Sequence, residues 1–169
     1  GIASSVDHRA KALVDRLKGF GEVAHCDGDT SRQLWRAVRD VTPFAHQGPA
    51  GEHAVWRVVT PPAAGLALGR DLTRAVGADY LADWGGGLIW LAVEEGADAQ
   101  MAQVHAIAAR HGGHAALVRA SDPVRRLAAS LMPRDGALEA LNRRIKAGFD
   151  PLDILNRGRM GRASGEKQA

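Results

Sequence analysis

The chain has 169 residues, with 22 Lys+Arg against 19 Asp+Glu, a formal charge of +3, 46% hydrophobic and 24% charged residues. This length and balance fit one globular domain, or one with an appendage, and exclude disordered and collagen-like classes. The longest apolar stretch, Gly85–Val93, has nine residues where a helical membrane span needs about 20, and a lone Cys26 excludes an internal disulfide and a cysteine-built zinc cage. No basic and apolar leader opens the chain, so a cytoplasmic setting is expected, without direct membrane insertion.

Val6–Leu17 carries Val6, Ala10, Leu13, Val14 and Leu17 at helical spacing, and Gly19 and Gly21 can close that helix. Glu22–Cys26 is expected to be a short strand and Asp27-Gly28-Asp29 a turn. Thr30 or Ser31 can cap a second helix with Leu34, Trp35 and Val38 as its buried stripe. Pro43–Gly51 lacks any period and predicts a loop. Ala54–Thr60, β-branched and aromatic, predicts a strand that Pro61-Pro62 stops. Leu66, Leu68, Leu72, Ala75 and Val76 mark the following helix, which Gly77 ends. Ala78–Trp84 and Leu88–Val93 predict a hairpin of strands about Gly85-Gly86-Gly87. Ala97–Arg110 predicts a helix, with Met101, Val104 and Ala108 on one side, and His114–Val118 a fourth strand. The order β-α-β-β-α-β is the split pattern of an α+β ferredoxin-like antiparallel sheet. Right-handed crossovers place both helices on one sheet face and leave the other free for a ligand or partner. A further helix is expected over Val124–Leu131, and a last one over Ala137–Ala147, capped by Asp135 and ended by Gly148, with Leu138, Leu141 and Ile145 inward. The chain therefore divides into an extension (1–52), the ferredoxin-like core (53–118), a C-terminal helical segment (119–160) and a solvated tail (161–169).

Charge is unevenly placed: residues 1–118 hold 11 basic and 13 acidic side chains, residues 119–169 hold 11 and 6. So small an excess, with Phe149 the lone aromatic among those bases, fits a solvated helix face better than a nucleic-acid surface. An RNA-recognition sheet would carry stacked aromatics on its third strand, and Leu88–Val93 offers Trp90 alone. His105 and His111 lie about 240° apart around one helix, so they do not converge on a metal. Gly85–Gly87 run into a strand, not into a helix N-terminus, which is no phosphate loop. The chain has no Gly-x-Ser-x-Gly elbow, and Cys26 is read as a small buried hydrophobe. No complete catalytic constellation is present. One residue breaks its context: Arg57 interrupts an apolar strand. Arginine is seldom buried unpaired, so Arg57 either meets Asp79 or Asp83 across the sheet or aims its guanidinium fork at a substrate carboxylate.

The run from Leu141 to Arg159, with Lys146, Phe149-Asp150-Pro151, Ile154-Leu155-Asn156 and Gly158-Arg159, resembles the C-terminal signature of the FAD-linked oxidases of the vanillyl-alcohol oxidase type, departing from it at Arg157 where the pattern has Pro. Leu34-Trp35, Val55-Trp56-Arg57, Ala82-Asp83-Trp84-Gly85-Gly86, Trp90-Leu91 and Gly112-Gly113-His114-Ala115 are similar to the FAD-binding subunits of bacterial glycolate oxidases. The resemblance implies a C-terminal substrate (cap) domain whose sheet covers the flavin in a subunit oxidising a 2-hydroxy acid such as glycolate. It implies that FAD is bound by an N-terminal domain outside this chain, leaving the isolated chain colourless and inert. It further implies partners: that FAD domain, a second flavin subunit and an iron-sulfur subunit, with placement peripheral to the inner membrane through the complex. Arg57 is then the substrate-binding candidate, and Asn156, Arg159 and Lys146 are the cofactor-facing ones. From the residues alone, a stand-alone ferredoxin-like ligand-binding or regulatory module, or a scaffolding subunit, remains an alternative.

Overall fold

Runs of β-branched and aromatic residues form four strands in the computed structural model, which describes residues 2–45, 53–127 and 136–155. These are β1 (Ala54–Val59), β2 (Asp79–Asp83), β3 (Leu88–Val93) and β4 (His114–Arg119). β1 pairs antiparallel with β3 and with β4, and β2 pairs antiparallel with β3, in the spatial order β2-β3-β1-β4. Helix α3 (Gly65–Val76) connects β1 to β2, and α4 (Met101–Arg110) connects β3 to β4. The result is the expected α+β, ferredoxin-like arrangement.

Alternation along the strands decides what faces the helices. Trp56, Val58, Ile89, Leu91 and Val93 point to one side and pack with Leu68 and Leu72 of α3 and Val104 and Ile107 of α4. Each such side chain, fully buried, favours the folded state by about 1.5–3 kcal/mol. The Trp56 indole is wholly enclosed, and its one polar atom donates to the Ala99 carbonyl oxygen at 3.0 Å. Ala99 and Gln100 hold left-handed backbone at φ 52° and 57°, so α4 starts at Met101 rather than at the expected Ala97. Gly77, at φ 64°, ends α3 with its N–H bonded to the Thr73 carbonyl, a cap that favours glycine.

The opposite sheet face is half covered. Phe44, from a 3-10 turn over Thr42–Phe44, packs with Val55 and Ala92 at one end. Arg119 fastens that turn, donating to the Phe44 carbonyl at 2.6 Å and to the His53 carbonyl at 3.2 and 3.3 Å. Toward the β2–β3 turn, this face carries Arg57, Leu81 and Trp90, each partly buried, and Leu88, which is buried.

The chain divides into two compact units, 1–40 and 41–169, and within them several expectations for single elements are corrected. In the first, α1 (Ala3–Leu17) begins before Val6, and α2 (Gly28–Arg39) begins before Thr30 and Ser31, with Asp27 at the N-cap. Residues 22–27 form no strand, because no ladder partner takes up their backbone groups. Leu34 and Trp35 are exposed, so the expected stripe lies on the surface, and Cys26 is exposed as well. In the second unit, α5 (Asp122–Leu127) accounts for the start of the helix expected over Val124–Leu131, and its remainder and Asp135 lie outside the described residues. Helix α6 (Gly136–Phe149) runs through Gly148, and Leu138, Leu141 and Ile145 are about half exposed rather than turned into a core.

Candidate functional site on the open sheet face

Arg57 stands opposite Trp90 of β3 and Ala116 of β4, which places it on the face turned away from α3 and α4. The residue is half buried, and its guanidinium carbon lies 5.5 Å from the centroid of the Trp84 ring. Among the described residues no carboxylate and no carbonyl pairs with that guanidinium. The ion pair considered with Asp83 or Asp79 does not form, and the register explains why. Asp83 is opposite Leu88 and Asp79 opposite Ala92, so β3 separates both carboxylates from β1. Asp83 instead accepts the Trp84 backbone N–H at 2.7 Å.

Trp84 sits at the start of the β2–β3 turn with φ 53°, followed by Gly85 at 62° and Gly86 at 99°. A bulky side chain in left-handed backbone costs about 1–2 kcal/mol and persists only where the surroundings impose it. Here the surroundings are backbone. The first residue of α3, Gly65, lies so close that a Cβ there would overlap the Gly86 carbonyl, and a Cβ on Gly86 would come within 2.5 Å of the Pro62 carbonyl oxygen. The turn is clamped to the segment that leads into α3, and its clamping holds the Trp84 backbone in place.

This close packing also bears on FAD. A dinucleotide pyrophosphate needs backbone N–H groups at an open helix start. The start of α3 is filled by Gly86, and Gly85–Gly87 lead into β3, so these turns do not fit a pyrophosphate. The described residues hold no group of three or more His, Cys, Asp or Glu side chains that could bind a metal.

Lys146 lies elsewhere, on the last turn of α6. It pairs with Asp150, with Asp153 at 3.0 Å, and donates to the Leu155 carbonyl at 3.1 Å. Asp150 also accepts the Ile154 and Leu155 N–H groups at 3.0 and 2.9 Å, folding residues 150–155 back on the helix end. The Lys146 ammonium beside it, with those two N–H groups, outweighs burial and lowers the Asp150 carboxyl to about 2, and the same contacts raise Lys146. Asn156 and Arg159 lie outside the described residues. The structure thus joins Arg57 to Trp84, which the sequence reading did not single out as a site residue. Its signal was a large aromatic set directly before three glycines, where a hairpin needs small residues.

Two histidines are absorbed by the fold. His111 Nε2 meets Asp71 Oδ2 at 2.9 Å, tying the end of α4 to α3. His105 is buried with its ring edge-to-face with Trp56 at 5.3 Å, and neither ring nitrogen has a partner. Burial pushes its pKa below the ordinary 6.5.

The fold and this face define a ferredoxin-like domain with one sheet face closed by helices and the other presenting an arginine unpaired with any described carboxylate. The chain is similar to glycolate oxidase subunit GlcE of Escherichia coli (strain K12), being 29% identical over 132 residues, which are 78% of this chain and 32% of that protein. It therefore spans about a third of the length of the curated relative it matches. That similarity supports a relationship between the two. No family profile and no solved structure matches the chain. Among the described residues no helix is long and apolar enough to cross a membrane.

Proposed function

We propose that this chain is the substrate-side cap domain of an FAD-linked oxidoreductase subunit that oxidises a 2-hydroxy acid, glycolate foremost. The observation that carries the reading is Arg57, held on the helix-free sheet face with no carboxylate partner among the described residues, in a chain similar to a glycolate oxidase subunit. A guanidinium offers paired donors matched to a carboxylate, and a half-buried one binds it in a setting drier than bulk water. The task of the chain's own residues is to hold that carboxylate, fix the orientation of the α-carbon and limit water. FAD, bound by a domain outside these residues, supplies the oxidant. The further partners would be a second flavin subunit and an iron-sulfur subunit of a glycolate oxidase complex. Peripheral placement at the inner membrane through that complex belongs to the same proposal.

A domain exchange tests this. The segment of GlcE that the chain matches is replaced by the chain, the hybrid is assembled with its complex, and glycolate-dependent dye reduction is measured. Reduction that depends on both glycolate and the hybrid is the expected result. A folded, FAD-loaded, assembled hybrid without glycolate-dependent reduction overturns the proposal. If the chain alone instead dimerises through its open face and binds a regulatory ligand, the stand-alone module is the better reading.

A further inference from the structure

We infer that Trp84 is a positioning residue of a small-carboxylate site, the aromatic platform that holds the Arg57 guanidinium with its donor edge free. The inference deepens the proposed function, since it rests on Arg57 as the carboxylate ligand. Three observations converge on Trp84. The residue is 60% exposed, so burial does not account for a tryptophan there. Its backbone is left-handed at φ 53°, a conformation glycine would adopt without penalty, in a turn that already contains three glycines. And the one described contact of the Arg57 guanidinium is with that ring.

The chemistry of stacking gives the arrangement its use. A guanidinium over a ring face spends only its own face on the contact, while its N–H groups lie in its plane and stay available to a planar acceptor. The ring restricts the rotamers of a long side chain, so less freedom is lost when a carboxylate arrives. An ion pair with Asp83 would have consumed the same donors, and Asp83 is occupied by the Trp84 N–H. The three-glycine turn, the Gly65 contact and the Asp83 bond together hold the Trp84 backbone, and its ring lies against the arginine.

The test uses the isotope-labelled chain itself, titrated with glycolate at constant ionic strength set by sodium chloride and followed at the Arg57 Nε–H resonance. A saturable shift with glycolate, absent with chloride, is expected, and Arg57→Ala should abolish glycolate binding. Trp84→Gly should weaken glycolate binding about two- to fivefold, the range of an exposed cation–π contact. It should leave the melting temperature equal or higher, because the left-handed strain is gone. Trp84→Phe, which keeps a ring face, should bind within about twofold of wild type. Wild-type glycolate affinity in Trp84→Gly overturns the inference, as does loss of binding in Trp84→Phe or the absence of a saturable glycolate shift in wild type. Dye reduction by the hybrid subunit is read separately. An active hybrid whose Trp84→Gly form keeps its KM removes the platform and leaves the cap reading, whereas an inactive hybrid with intact carboxylate binding does the reverse.

Discussion

Single side chains on the two sheet faces have opposite duties. Arg57 is polar in an apolar strand because its face is open. In the hybrid subunit, Arg57→Ala should raise the KM for glycolate by about 1.5–3 kcal/mol in binding terms, the worth of a hydrogen bond to a charged group, with little change in melting temperature. An unchanged KM beside a lowered melting temperature would make Arg57 structural. His105 illustrates the closed face. Its ring is enclosed with both nitrogens unpartnered, so it folds neutral, while the unfolded chain can protonate it. The folded-state pKa is depressed, so the unfolded state binds the extra proton. Stability is therefore full above pH 6.5 and declines as pH falls from there toward the folded value. The denaturant midpoint of wild type should drop between pH 7 and pH 5 more steeply than that of His105→Phe, which keeps an edge for Trp56. Parallel profiles in the two proteins would show that His105 contributes nothing to acid sensitivity. The comparison is one of slopes, so any offset from the larger ring does not affect it.

At the scale of elements, the end of α6 shows how a short sequence folds on itself. Pro151 cannot continue a helix, and Asp150 collects the N–H groups of Ile154 and Leu155 while Lys146 reaches across from one turn earlier. Since the Asp150 carboxyl is lowered to about 2, the order this knot confers is present above the ordinary carboxylate value of 3.8 and is lost as pH falls toward 2. Asp150→Asn removes the charge and keeps one acceptor. Amide exchange at Ile154 and Leu155 should then accelerate on the order of tenfold, with the β1 and β3 amides unaffected. Unchanged exchange at those two amides would mean the carboxylate does not hold the turn. Lys146 is thereby accounted for locally, and a role toward the cofactor would require this knot to open.

The whole molecule carries more apolar surface than its sheet core uses. Leu138, Leu141 and Ile145 of α6 lie about half exposed, as do Leu13 and Leu17 of α1, and Trp35 of α2 is 65% exposed. The α6 set, and Leu13 with Leu17, follow helical spacing, and such stripes commonly mark interaction surfaces. Under the cap-domain proposal, the α6 stripe meets the rest of the subunit. The double substitution Leu141→Glu with Ile145→Glu should change the stability of the chain alone by about 1 kcal/mol or less, as surface substitutions do, while reducing assembly of the hybrid subunit. A loss of several kcal/mol in the chain alone would place both residues in a core instead.

What the residues determined by themselves is the element order and the strand alternation. β-branched runs, Pro61-Pro62, Gly77 and Gly85–Gly87 sit where local backbone preferences decide the outcome, and β3 falls on Leu88–Val93 as read. Helical period told which residues of α1, α2 and α6 form a stripe, but not how far each is exposed, because burial depends on a neighbour that periodicity does not name. Glu22–Cys26 had strand-like composition and no partner strand, and pairing is a long-range property. The partner of Arg57 was likewise a matter of tertiary placement: β3 lies between β1 and the β2 carboxylates, and the guanidinium meets the Trp84 ring instead of Asp83.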